Sequence, residues 1–258
     1  PSPTRVSTFR GRQALPAASA FFFVRGDRLF AVTSRHVLHD PPTGHYPDRV
    51  ELVLHVDAKD LTRRVVYSVP LYRDERAVWR QGIDSGGEVD VAALELERSR
   101  LPEGLVLHAF GPQNLQADLQ EVEVGTSLLV VGFPLGFFDT LHHLPVVRHA
   151  IIASSFGVRF QGQGYFVTDA RMHRGSSGSP VVMRCGDAGS TLPWRLLGVH
   201  SARMDMGGRR VVQDETLGLN CAWYADILMT LTADGAAACD AEMGPRRAGR
   251  PPVIDSRR

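Results

Sequence analysis

Short β-type runs, closed off by Gly, Pro or Asp, follow one another along almost the whole chain and limit its fold more than any other feature. In the first half they fall at 20–24, 30–34, 50–56, 64–69, 77–79 and 89–96. In the second they fall at 127–133, 146–154, 164–168, 180–183, 196–201 and 217–222. Strands this short, with turn residues between them and almost no helical periodicity, build barrels or sandwiches. One stretch reads as a helix: 223–231 sets Tyr224, Ile227, Leu228 and Leu231 on one face. The expected organisation is a loose arm over 1–16, a first barrel with its crossover over 17–118, and a second barrel with the helix over 119–232. A basic tail carrying Arg246-Arg247, Arg250 and Arg257-Arg258 follows over 233–258.

A chain of 258 residues that is 43% hydrophobic can bury one large or two small cores. With 29 Lys and Arg against 28 Asp and Glu, no global field argues for nucleic acid or a membrane surface. No apolar run approaches membrane-spanning length. Residues 14–24 are apolar and follow Arg5, Arg10 and Arg12, as in a secretion signal. They lead straight into Gly26-Asp27 and the run at 30–34, which makes them the first hairpin of the fold. Cys185, Cys221 and Cys239 are an odd number without ligand spacing, so reduced thiols are expected, favouring the cytoplasm over the periplasm or secretion. His142-His143 and His149 lack Cys or carboxylate at ligand spacing and read as a polar loop, so no metal is expected.

Chemistry concentrates in Thr168-Asp-Ala-Arg-Met-His-Arg-Gly-Ser-Ser-Gly-Ser-Pro180, a tight turn between two strand-like runs. Gly175 and Gly178 permit close backbone approach, and Pro180 fixes the exit. A turn of this kind presents one hydroxyl with backbone N–H groups facing a reacting carbonyl. Ser177 fits best: of Ser176, Ser177 and Ser179 it alone has Gly two before and Gly one after. A hydroxyl nucleophile needs a base and a carboxylate to orient that base. His36 lies in Ala31-Val-Thr-Ser-Arg-His-Val, just past a strand; Asp90 enters the apolar run Val91-Ala-Ala-Leu and there needs a hydrogen-bond partner. The chain order His36, Asp90, Ser177 differs from that of α/β-hydrolases, which place the Ser first.

These motifs resemble those of trypsin-like (chymotrypsin-fold) serine peptidases, in particular the bacterial HtrA/Deg-like and glutamyl-endopeptidase-like branches. Gly132-Phe-Pro-Leu-Gly is similar to an HtrA turn, and Leu197-Gly-Val-His-Ser201 resembles the strand that pairs with substrate. Ser176 departs from the Asn or Asp common before the nucleophile, and Ser179 from a Gly of the larger branch. The resemblance implies an all-β fold of two six-stranded antiparallel barrels of chymotrypsin type with a C-terminal helix. It implies endopeptidase activity on protein or peptide substrates, without cofactor or metal. His36, Asp90 and Ser177 would be catalytic, and the N–H groups of Gly175 and Ser177 would form the oxyanion hole. Arg171, Met172, Val199, His200 and Ser201 would bind substrate. Arg171 and His200 there would suit an acidic side chain, whereas Val199 and Met172 would suit an aliphatic one. The alternatives are a catalytically silent peptide-binding module and an esterase on the same scaffold.

Overall fold

Alternation builds the first sheet. In β5 (Arg49–His55) Val50, Leu52 and Leu54 are buried and the residues between are half-exposed, the period-two pattern of a strand with one wet face. The computed structural model describes residues 3–185, 193–204, 217–236, 238–239 and 241. Around β5 lie β1 (Thr4–Arg10), β2 (Gln13–Ala14), β3 (Ala18–Arg25), β4 (Arg28–Thr33) and β6 (Arg64–Pro70). The short pair β7 (Tyr72–Arg73) and β8 (Arg76–Ala77) leads to β9 (Trp79–Asp84) and β10 (Gly87–Leu96). The sheet runs β6-β5-β1-β3-β4-β10-β9, with β2 paired to β1. Val6, Phe22, Leu52, Trp79 and Leu94 meet in one core, so the sheet curls around a single interior.

Residues 4–10 correct the expectation of a loose arm, because β1 sits mid-sheet between β3 and β5. Its inward residues are Thr4, Val6 and Thr8, a pattern hidden by the two threonines. Their hydroxyls bond the carbonyls of Val53 at 2.9 Å and Pro16 at 2.7 Å, so both bury without an unpaired group.

The second half is a closed barrel. Its strands β11 (Ser127–Gly132), β12 (Val146–Ile152), β13 (Tyr165–Asp169), β14 (Pro180–Arg184), β15 (Trp194–Arg203) and β16 (Leu219–Tyr224) pair in the order β11-β12-β13-β16-β15-β14. Leu128, Val130, Ile152, Phe166, Val181 and Leu197 fill it. A third cluster joins the halves: Phe21, Phe23, Phe30 and Val91 from the first, Phe110 from the crossover, and Val199, Trp223 and Leu228 from the second. Strand β3 is therefore buried on both faces from Ala18 to Phe23, Phe22 facing one core and its neighbours the other. Each fully buried large apolar side chain contributes about 1.5–3 kcal/mol. That seam fixes the halves against each other, which a site divided between them requires.

The expected helix starts later than its periodicity suggests. Trp223 and Tyr224 belong to β16, where Trp223 pairs with Tyr165 and Val199, and only Ile227–Leu231 is helical. Cross-strand pairing of the aromatic outcompetes local helical preference there. The tail is also corrected in its first part: Cys239 is buried in the first core and its N–H reaches Trp79 O at 2.9 Å. Arg246, Arg247, Arg250, Arg257 and Arg258 lie outside the described residues. All three cysteines are free thiols. Among the described residues no helix is long and apolar enough to cross a membrane.

Candidate active site

His36 follows β4 on a one-turn helix, α1 (Arg35–Leu38), anchored by the buried Val37 and Leu38. The ring is held toward β10. There the β9–β10 register shifts between Glu88 and Ala92, an irregularity of the kind that re-aims a side chain, and Asp90 lies inside it. Asp90 Oδ1 accepts from the His36 backbone N–H at 2.8 Å, and Oδ2 accepts from His36 Nδ1 at 2.7 Å. An ionised carboxylate only accepts, so the proton sits on Nδ1 and leaves Nε2 as the acceptor. The Ser201 hydroxyl donates to the same Oδ2 at 2.5 Å.

These contacts decide both titrations. Burial pushes the Asp90 carboxyl up, but the hydrogen bonds and charge of His36, with the Ser201 bond, hold it below the usual range. Burial likewise disfavours the His36 imidazolium, yet the bond to Asp90 and its charge prevail and raise His36 above its ordinary 6.5.

Ser177 arrives from the other half. Its Oγ lies 2.9 Å from His36 Nε2 and 2.9 Å from the Ser201 carbonyl oxygen. Ser176 and Ser179 are fully buried. The turn needs its two glycines. Gly175 has φ +92° and an added Cβ would lie 2.6 Å from Phe133 O; Gly178 has φ +82° and an added Cβ would run into Ser19 O and Thr33 Oγ1. Neighbouring backbone bonds pin it: Gly178 N to His200 O at 2.8 Å, His200 N to Ser179 O at 2.9 Å, and Ser19 N to Ser177 O at 2.9 Å. Among the described residues the N–H groups of Gly175 and Ser177 donate to nothing in the chain.

A cavity of about 550 Å³ opens beside this group. Of the residues expected to bind substrate, Met172, His200 and Ser201 line it and two do not. Val199 is buried in the seam between the halves, as strand alternation demands of a residue beside His200. Arg171 is exposed, and its carbonyl accepts from Arg148 Nη2 at 2.8 Å. Burial pushes the His200 imidazole down to about 4, with His36 acting in the same direction, so His200 is neutral at physiological pH. Sequence reasoning missed His173, Arg174, Ala202, Arg203, Met204 and Thr43 on the cavity wall. His173 and Arg174 sit inside the serine stretch and were legible from proximity; Thr43 is brought in by the fold alone. His142 pairs with Asp139 at 2.7 Å rather than with other imidazoles. Among the described residues no group of three or more His, Cys, Asp or Glu side chains is placed to hold a metal.

Two β-rich halves meeting at a His–Asp–Ser arrangement define the chymotrypsin-type fold and the class of trypsin-like peptidases. A family profile described as trypsin-like peptidase domain matches residues 18–188. The chain belongs to this family of trypsin-like peptidase domains. Among solved structures, the HtrA-type protease AlgW with tripeptide matches at 17% identity and a TM-score of 0.52, over 92% of this chain and 62% of that one. A second AlgW structure matches at 18% identity and 0.52, over 89% and 58%. The chain thus spans about 60% of the length of these relatives. The Rv3671c protease from M. tuberculosis, in its active form, matches at 19% identity and 0.50, over 93% and 86%. These likenesses are of fold. No curated protein sequence matches the chain.

Proposed function

We propose that the chain cleaves peptide bonds in protein substrates with Ser177 as nucleophile, His36 as general base and acid, and Asp90 as orienting carboxylate. The observation that carries this is a continuous line of contacts, 2.9 Å from Ser177 Oγ to His36 Nε2 and 2.7 Å from His36 Nδ1 to Asp90 Oδ2. The Ser177 hydroxyl has one proton and two acceptors, Nε2 and Ser201 O. With His36 neutral the proton points to Nε2 and can leave with attack; with His36 protonated, Nε2–H donates instead and the hydroxyl turns to Ser201 O.

In the forward step Ser177 Oγ bonds to the substrate carbonyl carbon as its proton passes to Nε2. The N–H groups of Gly175 and Ser177 receive the oxyanion. Nε2–H then protonates the leaving amine as the C–N bond breaks, giving an acyl-enzyme, and water repeats the sequence on the ester. Pairing of β14 with β15 ends at Val199, which leaves Ser201 and Ala202 an edge where substrate adds as an antiparallel strand. The side chain before the cut bond enters the cavity beside Met172, Met204 and His200. Met172, Met204 and a neutral His200 give that side chain a buried wall without charge, while Arg174 and Arg203 on the same cavity are exposed and half-exposed, where pairing with a carboxylate is screened, so aliphatic residues are favoured over Glu or Asp.

The test is hydrolysis of casein and a peptide library across pH. Because His36 must be neutral and its pKa is raised, kcat/KM should climb with pH through a midpoint above 6.5. Cuts should follow Val, Ala or Leu. A flat profile from pH 5 to 8 would contradict the role of His36. Turnover of a short-chain nitrophenyl ester with casein untouched would assign the site to esters.

A further inference from the structure

We propose that Ser19, on β3 of the first half, is a positioning residue that holds the oxyanion hole of the second half in its open form. This rests on the catalytic reading above. Ser19 is fully buried in an otherwise apolar run, and each of its polar groups is committed. Its hydroxyl donates to Gly175 O at 2.8 Å and accepts from Phe133 N at 3.0 Å. Its N–H donates to Ser177 O at 2.9 Å, and its carbonyl accepts from Thr33 Oγ1 at 2.8 Å.

Planarity turns these bonds into a direction for the catalytic donors. In a trans peptide the N–H points opposite to the C=O of the preceding residue, so holding one aims the other. Arg174 O accepts from Leu135 N at 2.5 Å, which turns the Gly175 N–H the other way. Ser176 O accepts from Ser179 N at 3.0 Å, which does the same for the Ser177 N–H. The peptide between these two, from Gly175 to Ser176, is held through its carbonyl by the Ser19 hydroxyl. The same hydroxyl fastens Phe133, and with it the segment that offers Leu135 N. One side chain from the first half therefore restrains the peptide linking the two donors and the clamp on one of them. The N–H of that peptide has only a longer bond, from Ser176 N to His173 O at 3.2 Å, so without the Ser19 hydroxyl this one bond is left to keep the peptide from rotating and carrying a donor out of the hole.

The experiment compares wild type, Ser19→Ala, Ser19→Cys and Thr8→Val. Thr8 is also fully buried and its hydroxyl bonds Pro16 O at 2.7 Å, far from the turn in sequence, so it controls for loss of a buried hydroxyl. In Ser19→Ala, kcat should fall on the order of 10²-fold, toward the loss from deleting an oxyanion donor itself, while KM stays within about threefold. Affinity for a peptidyl trifluoromethyl ketone, whose hemiketal oxygen occupies the hole, should fall by the same factor. Ser19→Cys keeps the side-chain shape with a somewhat larger, weakly donating sulfur and should fall between, and it carries the test if Ser19→Ala does not fold. Thr8→Val should lower the melting temperature with kcat and inhibitor affinity unchanged. Ser19 variants that fold and match wild type in kcat and ketone affinity overturn the proposal, as does an equal loss in Thr8→Val. A wild type that neither hydrolyses peptide nor binds the ketone would instead overturn the catalytic reading beneath it.

Discussion

Replacing Ser177 with alanine should lower peptide hydrolysis by on the order of 10⁴-fold or more, the loss expected when a triad member is removed. Folding should hardly register the change. Among the described residues its Oγ is bonded only to His36 Nε2 and the Ser201 carbonyl, both of which line the cavity, and its backbone tie to Ser19 survives. The stability change should stay within about 0.5 kcal/mol. Ser176→Ala and Ser179→Ala supply the contrast. Among the described residues neither buried hydroxyl has a hydrogen-bond partner, so deleting either removes an unpaired polar group and should leave stability equal or higher. Neither reaches His36, so activity should persist. Activity lost in either of these and kept in Ser177→Ala would overturn the assignment.

Asp90→Asn should have the second largest effect, a drop in kcat of roughly 10⁴-fold with KM little changed. The carboxylate accepts three hydrogen bonds, from the His36 backbone, His36 Nδ1 and the Ser201 hydroxyl. An amide presents one oxygen and one NH₂ group, so it cannot accept all three. If the NH₂ faces the ring, Nδ1 becomes the acceptor and the proton moves to Nε2, where it blocks the base. Removing the charge also removes the two largest influences that raise the His36 pKa, and leaves burial and the charge of Arg35 opposed by the charge of Asp40. The imidazole should then titrate lower than in wild type, which NMR of His36 would read directly. Near-normal turnover in Asp90→Asn, or an unmoved His36 titration, would contradict its role.

How much of this was legible in the sequence follows from the range over which each feature is determined. Most strands showed because their inward residues are aliphatic or aromatic at period two. Strand β1 did not, because two of its inward residues are threonines whose burial depends on distant carbonyls of Val53 and Pro16. Trp223 and Tyr224 fit a helix by local period and a strand by cross-barrel pairing, and the pairing won. His36, Asp90 and Ser177 stood out because each sits in its own short motif, and the fold brings the three side chains within hydrogen-bond distance. The pocket was read less well. Which side of β15 each residue faces is set by barrel closure, and that separates Val199 from its neighbour His200. Ser19 gave no signal, since a serine in an apolar run shows its bonds only once Gly175 and Phe133 are beside it.

The most direct measurement is mass-spectrometric mapping of the native protein after reaction with a fluorophosphonate. Such a probe phosphonylates a serine, with loss of fluoride, only where a base takes the serine's proton and an oxyanion hole receives the phosphonyl oxygen. A single adduct on Ser177, formed faster as pH rises through the His36 titration and absent after Asp90→Asn over the same exposure, is the predicted result. An adduct on Ser176 or Ser179, or none on folded protein that still cleaves casein, would contradict it.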